Sequence, residues 1–478
     1  MGGSFSLGEQ KTRPGVYSRY EDWGTPAAAG ADDGRCAAVL RSNWGPLGKA
    51  VVIADPYDIT RVYGDGGEGG TTAVAVEQFL GGARTVTAVR LGSGGSPGIY
   101  QIMDESETNE LIALTMLYPG SREFNITIRP TVDDPENTSE LLLTDGTKSL
   151  ERFRFESKSG VNQIDALISA TRSSAFFALK KVTDSEDKIA TVNQASITPG
   201  TDPEYKTIDY SAAFEVLEAY RWNVLAVDTN NTGVHAVMQM YLNRMLTGGK
   251  KVIGVIGEDS SVPFETRLQH ASSFNDKQIV YVGTGYIGST GAKHEGWLTA
   301  AHITGAIAGT PSSKTITRKV ISGAVDLIEP LSNVQYEQAI KSGMLAFSLS
   351  NSNAVRIDSG INTLVELGKD DDAGWKKIKR VKTRFELFQR IDDTIDPIVC
   401  NIDNDPDGRM TIIQVGNGVC NAMVAEKKLF KGAHLEDDPV NKPQGDSAWF
   451  IIYADDIDAL EKAYFTYKFR FSPGEETV

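Results

Sequence analysis

Helix-like and strand-like segments alternate between residues 212 and 308, and this alternation constrains the fold more than any other feature. Helices are predicted at Ala212–Tyr220, Val234–Leu246 and Leu298–Ala308, and strands at Val224–Val227, Val252–Ile256 and Ile279–Val282. Short apolar strands that alternate with helices are typical of a parallel sheet covered by helices. The sequence therefore predicts an α/β fold.

The same pattern occurs near the N-terminus. A buried strand is predicted at Ala50–Ala54, a helix at Thr72–Leu80 and a strand at Thr85–Leu91. The glycine pair Gly81-Gly82 is a typical helix end. These elements are expected to belong to the same parallel sheet as residues 212–308.

Between these two α/β stretches, residues 92–190 carry short β-rich runs separated by turn signals. The runs are Leu111–Leu117, Asn125–Arg129, Leu141–Thr144 and Arg152–Phe155. Turns at this spacing indicate a β-sandwich or barrel. Because the α/β pattern resumes afterwards, we interpret the segment as an insertion within one parallel-sheet domain.

The last section is predicted as an α+β domain with a strand at Val355–Ile357, a basic segment and two helical stretches. The length of 478 residues suits about three domains. The predicted organisation is an N-terminal arm (1–30), the first part of the α/β domain (31–91), the inserted β-sandwich (92–190), the second part of the α/β domain (191–344) and a C-terminal domain with a C-terminal arm (345–478).

Both ends of the chain carry strand-like segments. Near the N-terminus, Val16 and Tyr17 lie in a stretch interrupted by glycine and proline. Near the C-terminus, Phe465, Tyr467, Phe469 and Phe471 fall on one face of a predicted strand, and Tyr464, Thr466, Lys468 and Arg470 on the other. Such arms are either frayed ends or strands that complete a neighbour's sheet. We expect Val16, Tyr17 and the four aromatic residues to form inter-subunit strands.

Composition excludes several classes of function. The net charge of −15 argues against nucleic-acid binding, because phosphates would be repelled over most of the surface. Cys36, Cys400 and Cys420 have no CxxC spacing and are interpreted as small buried residues in a reducing compartment. The N-terminal segment lacks the features of a secretory signal, and no apolar run approaches the roughly 20 residues that span a bilayer. We expect no membrane insertion.

The motif with most resemblance to a nucleotide site is Gly283–Gly288, which matches GxGxxG after a predicted strand. A dinucleotide-binding loop should open a helix directly and be followed about 20 residues later by an acidic residue. Here the chain first passes Ser289–Gly291, and residues 306–313 contain no acid. A structural loop is the favoured interpretation, and a nucleotide-binding α/β enzyme is kept as the alternative function.

Other catalytic patterns are weaker still. The glycine cluster Gly64–Gly70 lacks the Lys-Ser/Thr pair of a phosphate loop. Asp228 and His235 could belong to a hydrolase triad, but the sequence has no GxSxG elbow to supply the nucleophile. No HExxH or CxxC motif indicates a metal. The sequence therefore predicts no enzyme activity, no catalytic residue, no metal and no cofactor.

A basic run stands out in this acidic chain. It consists of Lys376, Lys377, Lys379, Arg380, Lys382 and Arg384. Interleaved aromatic residues, which would stack on nucleic-acid bases, are missing. The run is either a solvated face or a contact with acidic surface on a neighbouring subunit or tube, and we hypothesise the second.

An ordered set of segments resembles the contractile phage tail sheath family, particularly forms from phages and phage-like particles of Gram-positive bacteria. The similar segments are Arg13–Tyr17, Trp44–Pro46 with Val51–Asp55, Gly81–Val86, Tyr118–Arg122 through Ile128, Ile279–Gly283, Ala300–Gly309 and Gly343–Leu345. The resemblance implies a subtilisin-like α/β domain without a triad, an inserted β-sandwich and a C-terminal domain that faces a tail tube. It also implies terminal arms that link neighbours.

The resemblance further implies a mechanical function. A homo-oligomeric sheath, helical or made of stacked rings, would surround a tail tube and contract to drive the tube through the target cell envelope. The implied partners are the tube protein, a baseplate and a tail terminator. The expected location is the tail of a virion or a bacteriocin-like particle, after synthesis in the bacterial cytoplasm. A degenerate peptidase-like binding module, which would stay monomeric, is a third possibility.

Overall fold

The computed structural model describes residues 3–4, 17–18, 34–369 and 371–469. The chain forms two compact units. The larger unit consists of residues 33–389 and 455–478, and the smaller unit consists of residues 1–32 and 390–454. The domain boundaries expected from the sequence, including the one at residue 345, stay predictions.

The described residues of the N-terminal arm are two very short strands. Strand β1 (Gly3–Ser4) pairs in parallel with strand β2 (Tyr17–Ser18). Tyr17 is therefore in a strand, whereas Val16 lies outside the described residues. That either residue contacts another subunit stays a prediction.

The first α/β stretch of the larger unit has the predicted helix and strands. Its elements are β3 (Arg35–Leu40), β4 (Ala50–Ile53), α1 (Tyr57–Tyr63), α2 (Ala73–Gly81) and β5 (Thr85–Arg90). Strand β4 lies at the sheet edge, antiparallel to β5, and Val52 is 55% exposed. The predicted strand at Ala50–Ala54 is thus present, but the prediction that it is buried is wrong. An apolar run of this length does not distinguish a central strand from an edge strand.

Residues 97–196 form two antiparallel sheets with one helix. The elements are β6 (Pro97–Met103), β7 (Glu110–Pro119), β8 (Asn125–Pro130), β9 (Thr138–Asp145), β10 (Lys148–Glu156), α3 (Gln163–Ala170), β11 (Phe177–Lys181) and β12 (Val192–Ser196). One sheet has the order β10-β9-β8-β12 and the other β11-β7-β6. Both contribute to one apolar core, where Ile126, Leu141 and Leu114 are buried. All four β-rich runs predicted in this segment are strands.

The second α/β stretch returns the chain to the parallel sheet. Its elements are α4 (Thr207–Glu218), β13 (Val224–Ala226), α5 (Thr232–Thr247), β14 (Ile253–Gly257), α6 (Phe264–Phe274), β15 (Ile279–Val282), β16 (Tyr286–Gly288), β17 (Lys293–His294), α7 (Trp297–Gly309), β18 (Ala324–Leu327), α8 (Asn333–Lys341) and β19 (Met344–Leu345). The seven-stranded sheet has the order β19-β15-β14-β13-β3-β5-β4. All its strands except β4 are paired in parallel. The fold is therefore a mixed α/β fold, as predicted.

The central sheet is buried on both faces. Along β3, Cys36, Ala38 and Leu40 point into one core, and Ala37 and Val39 point into the other. This alternation follows from the two-residue period of a strand. A sheet covered on both faces explains why its strands read as continuous apolar runs.

Helices α2 and α7 pack on one face of this sheet at very short distance. A Cβ atom added at Gly305 would lie 1.9 Å from the Gln78 carbonyl oxygen, and one added at Gly81 would lie 2.1 Å from the His302 carbonyl oxygen. Real Cβ atoms do not approach a backbone oxygen so closely, so only glycine fits at these crossings. The glycines at 81 and 305 therefore have a packing role.

The remaining elements complete both units. They are β20 (Phe347–Leu349), β21 (Val355–Ile357), α9 (Ile378–Val399), α10 (Pro406–Ala425), β22 (His434–Asp437) and β23 (Phe450–Tyr453). The predicted strand Val355–Ile357 and the two predicted helical stretches are confirmed. Among the described residues, no helix combines the length and the apolar character needed to cross a bilayer.

Candidate functional site

At the crevice where α/β sheets usually bind ligands, this chain places an ion pair between two of its own side chains. In the sheet, strand β3 has β5 as its neighbour on one side and β13 as its neighbour on the other. The chain continues from β3 in one direction and from β13 in the opposite direction, so the strand order reverses between β3 and β13. Ligands of open α/β sheets bind at the carboxyl ends of the strands at such a reversal. Here Arg41 follows β3 and Asp228 follows β13, and the two form an ion pair of 2.7 Å.

The Asp228 carboxylate is fully buried and accepts three hydrogen bonds. The donors are Arg41 Nε at 2.7 Å, Thr71 Oγ1 at 2.5 Å and Tyr210 Oη at 2.6 Å. Burial, followed by the charge of Asp228, raises the pKa of Tyr210, so the phenol remains a donor. We call Arg41, Thr71, Tyr210 and Asp228 the crevice network. Its donors and its carboxylate are engaged with one another, and they connect the ends of β3 and β13.

Asp228 and His235 do not form a catalytic pair. His235 is buried and its Nε2 atom lies 2.9 Å from the Thr229 carbonyl oxygen, while the Asp228 oxygens are bound by the crevice network. Burial lowers the pKa of His235, which keeps the ring neutral at pH 7. The glycine cluster Gly64–Gly70 forms the loop that leads to Thr71.

The GxGxxG segment does not have the geometry of a nucleotide loop. Its last residues, Tyr286–Gly288, form strand β16, which pairs with β17 and β18. A Cβ atom at Gly283 would lie 2.1 Å from Met344 Sδ, so this glycine packs against a side chain. No helix N-terminus follows directly to bind a pyrophosphate. The segment thus contributes a packed glycine and a hairpin strand, and a structural loop stays the favoured interpretation.

Two histidines share one buried carboxylate between helices α2 and α7 and the β16–β17 hairpin. Glu77 Oε1 lies 3.1 Å from His294 Nδ1, and Glu77 Oε2 lies 3.0 Å from His302 Nδ1. Tyr286 stacks on His294 with ring centroids 4.8 Å apart. Within residues 34–369 and 371–469, no group of His, Cys, Asp or Glu has an arrangement suited to a metal ion. This cluster joins secondary-structure elements.

All six side chains of the basic run form hydrogen bonds within the larger unit. The acceptors are the Val365 carbonyl for Lys376, Asp458 for Lys377, the Ile457 carbonyl for Lys379, Asp456 for Arg380, the Ile307 and Thr310 carbonyls for Lys382, and Asp372 and Asp456 for Arg384. None of the six residues is exposed. That the run contacts a neighbouring subunit or tube stays a prediction, and its observed partners lie in the same chain.

The predicted C-terminal strand is an exposed segment without regular secondary structure as far as residue 469. Phe465 and Tyr467 are each 76% exposed, and Phe469 is 93% exposed. The rings of Tyr467 and Phe469 stack with centroids 6.3 Å apart, as expected for residues on one face of an extended chain. Phe471 lies outside the described residues. Among the residues that the structure describes, no strand pairs with residues 464–469.

The smaller unit contains a β-hairpin, β22–β23, with one edge covered. Asn417 of helix α10 donates to the Leu435 carbonyl and accepts from the Leu435 amide at 2.8 Å, which occupies the outer edge of β22. Leu435 pairs with Ile452, so the backbone groups of Ile452 point away from β22. A two-stranded hairpin is marginally stable alone. We call β22–β23 the acceptor hairpin; among the described residues no strand pairs with the outer edge of β23, which we call its free edge.

The sequence pattern did not reveal two parts of this arrangement. The basic run is bound by three acidic residues about 80 positions later in the chain, Asp456, Asp458 and Glu461. Only the opposite charges of the two segments could have suggested that they pair. The apolar run Phe450–Tyr453 could have been recognised as a strand. In addition, Cys400 is exposed, so the interpretation of all three cysteines as buried is wrong for that residue.

Comparisons with known proteins agree with this picture. Residues 204–363 match the family model described as the phage tail sheath protein central domain. The phage-like element PBSX protein XkdK of Bacillus subtilis is 22% identical over 394 residues, which cover 80% of this chain and 79% of that protein.

Solved structures show the same fold over nearly the whole chain. The sheath tail protein from Listeria innocua has a TM-score of 0.68 at 17% identity, covering 90% of this chain and 97% of that chain. The helical sheath of the anti-feeding prophage in its contracted state has a TM-score of 0.54 at 12% identity, covering 96% of this chain and 99% of that chain.

Proposed function

We infer that this chain belongs to the contractile tail sheath family and is a structural subunit that polymerises into a sheath and contracts with it. The observation in the structure that supports assembly most directly is the exposed aromatic segment at residues 464–469. Apolar surface of this kind marks a protein–protein contact. A chain that polymerises can cover such a segment with a neighbouring subunit, whereas a monomer would have to bury it within its own fold.

We propose that a subunit donates its C-terminal arm, residues 462–478, to the acceptor hairpin of a neighbour. The free edge of β23 offers backbone groups, and the arm offers an extended segment whose side chains alternate between aromatic and polar. Addition of the arm as a strand would pair its backbone with the edge of β23. Backbone hydrogen bonds then give affinity, and alternate side chains give specificity. The N-terminal strand around Val16 and Tyr17 is proposed to act similarly.

Contacts of this type suit a contractile assembly. A donated strand stays bonded to its acceptor while the rigid domains on either side rotate about the arm. Heterologous contacts that repeat along an axis build a helical or stacked-ring polymer. We propose that the partners of the subunit are the tube protein, the baseplate and the tail terminator. The proposed location is the tail of a virion or phage-like particle.

The finer features of the fold are proposals as well. The parallel-sheet domain is proposed to be subtilisin-like without a catalytic triad, and the pair of antiparallel sheets at residues 97–196 is proposed to be an inserted β-sandwich. The common core of those two sheets supports the second proposal. The last domain is proposed to face the tube.

Electron microscopy of the concentrated protein tests the assembly function. Negative stain is expected to show hollow, striated tubes, because the arms of adjacent subunits can then meet. Addition of dinucleotides or ATP is expected to leave the melting temperature unchanged, since a bound ligand would raise it. A protein that stays monomeric at all concentrations, or that melts higher with a nucleotide, would contradict the proposal.

A further inference from the structure

The chain leaves the smaller unit at Ala454 and returns to the larger unit for its last residues. The returning residues, 455–461, lie along the start of helix α9, where the basic run is located. We call residues 455–461 the anchor segment. Its side-chain contacts with described residues lie within the larger unit.

Asp456 is the most buried contact of the anchor segment, with 8% of its surface exposed. Its carboxylate accepts from Arg380 Nη2 at 2.7 Å and from Arg384 Nη2 at 3.0 Å. Burial alone would raise the pKa of Asp456, but the hydrogen bonds and charges of Arg380 and Arg384 outweigh it and lower the pKa. Asp456 is therefore ionised at neutral pH and bound by two guanidinium groups.

The second arginine is itself held in place. Arg384 donates to Asp372 at 2.8 Å, and its guanidinium lies 4.5 Å from the centroid of the Trp375 ring. A guanidinium between an aromatic face and two carboxylates has a fixed orientation. The binding site for Asp456 is thus preorganised by residues that precede and begin α9.

Four further contacts hold the rest of the anchor segment. Lys379 donates to the Ile457 carbonyl, and Lys377 lies 2.6 Å from Asp458. Glu461 lies 3.1 Å from Lys377 and accepts from Thr317 Oγ1 at 2.8 Å. Bonds therefore continue along the segment as far as Glu461.

Among the described residues, Glu461 makes the last contact between the C-terminal segment and the rest of the larger unit. Every described residue from 462 to 469 is exposed, whereas Asp456 is buried and the Glu461 carboxylate is 18% exposed. Leu460 is already 88% exposed, so the chain becomes exposed at the end of the anchor segment, while the side chain of Glu461 is still bound to Lys377 and Thr317.

We propose that the basic run is the anchor of the C-terminal arm, which it binds through Asp456, Asp458 and Glu461 so that the arm pivots at residues 462–463. This inference rests on the proposed function, in which the segment after the pivot is donated to a neighbour. The anchor fixes the start of the arm on the larger unit and transmits tension from the acceptor subunit to helix α9. The basic run thereby contributes to assembly by holding the arm of its own chain.

Distance measurements on the unassembled full-length protein test the anchor without depending on polymerisation. Nitroxide labels are placed at Met240 on α5 and at Leu460, which are 73% and 88% exposed. Cys400→Ser removes the exposed thiol, and Cys36 and Cys420 are buried. Pulsed electron resonance is expected to give a narrow distance distribution, because residue 460 lies within the anchor segment.

Asp456→Asn is expected to broaden that distribution at least twofold, because it removes the charge that two arginines bind. Asp455→Asn, which changes the exposed neighbouring carboxylate, is the matched control and should leave it narrow. Lys377→Met, which removes the cation beside Asp458 and Glu461, should also broaden it. Narrow distributions in both Asp456→Asn and Lys377→Met would overturn the anchor even if tubes form normally. Broadening in a protein that forms no tubes would support the anchor and contradict the proposed function.

Discussion

Removal of residues 462–478 is expected to leave a folded, soluble subunit that no longer forms tubes. The described residues of this segment are exposed, so their loss should change the free energy of unfolding by less than about 0.5 kcal/mol. Assembly, in contrast, loses a donated strand with its backbone hydrogen bonds and its aromatic side chains. We expect the concentration needed for tube formation to rise at least about 100-fold, since a loss of about 2.7 kcal/mol per contact is sufficient.

Sedimentation and negative-stain microscopy measure this effect, and two controls define its cause. Truncation after Phe471 removes only the last seven residues, 472–478, and should retain tubes. Serine at Phe465, Tyr467 and Phe469 together should abolish tubes, whereas serine at Thr466 and Lys468 on the opposite face should have a smaller effect. Deletion of residues 1–20 is expected to give the same loss of tubes through the other arm. Normal tubes after both arm deletions would refute the role of the arms.

Replacement of Asp228 by alanine is expected to destabilise the larger unit by about 3–5 kcal/mol, because it leaves the partly buried Arg41 without its carboxylate. Thr71 and Tyr210 also lose their acceptor. Urea unfolding followed by tryptophan fluorescence measures the change. Asp58→Ala is the matched control, since Asp58 forms an exposed pair with Arg61 and should cost at most about 1 kcal/mol. Equal midpoints for the two variants would show that the crevice network does not stabilise the sheet.

Much of the larger unit could be predicted from the sequence because its strands and helices have strong local patterns. The strand Ile279–Val282 and the helices α2 and α7 were predicted to within about one residue of their observed ends. Strand β3 was not predicted, because its small residues Cys36, Ala37 and Ala38 do not distinguish a strand from a helix. Its position in the centre of the sheet depends on strands that follow much later in the chain.

Contacts between distant segments could not be predicted from local patterns. The basic run was interpreted as a surface for another subunit because its observed partners, Asp456 and Asp458, follow about 80 positions later. The arm was predicted as a strand because its alternation is regular, yet a strand requires a partner to form hydrogen bonds. Its described residues, 464–469, have no strand assignment in the single chain, and donation to a neighbour stays a proposal.

Cross-linking between copies tests the exchange of arms most directly. In a Cys400→Ser background, one variant carries Phe469→Cys in the arm and a second carries Tyr453→Cys at the end of β23. The two are mixed, assembled and treated with a short bis-maleimide. We expect mixed dimers joined through positions 469 and 453 in the assembled tubes and none in the dilute protein. Tubes that form normally but contain no such mixed dimers would contradict the proposal that the C-terminal arm is donated to the neighbour's hairpin.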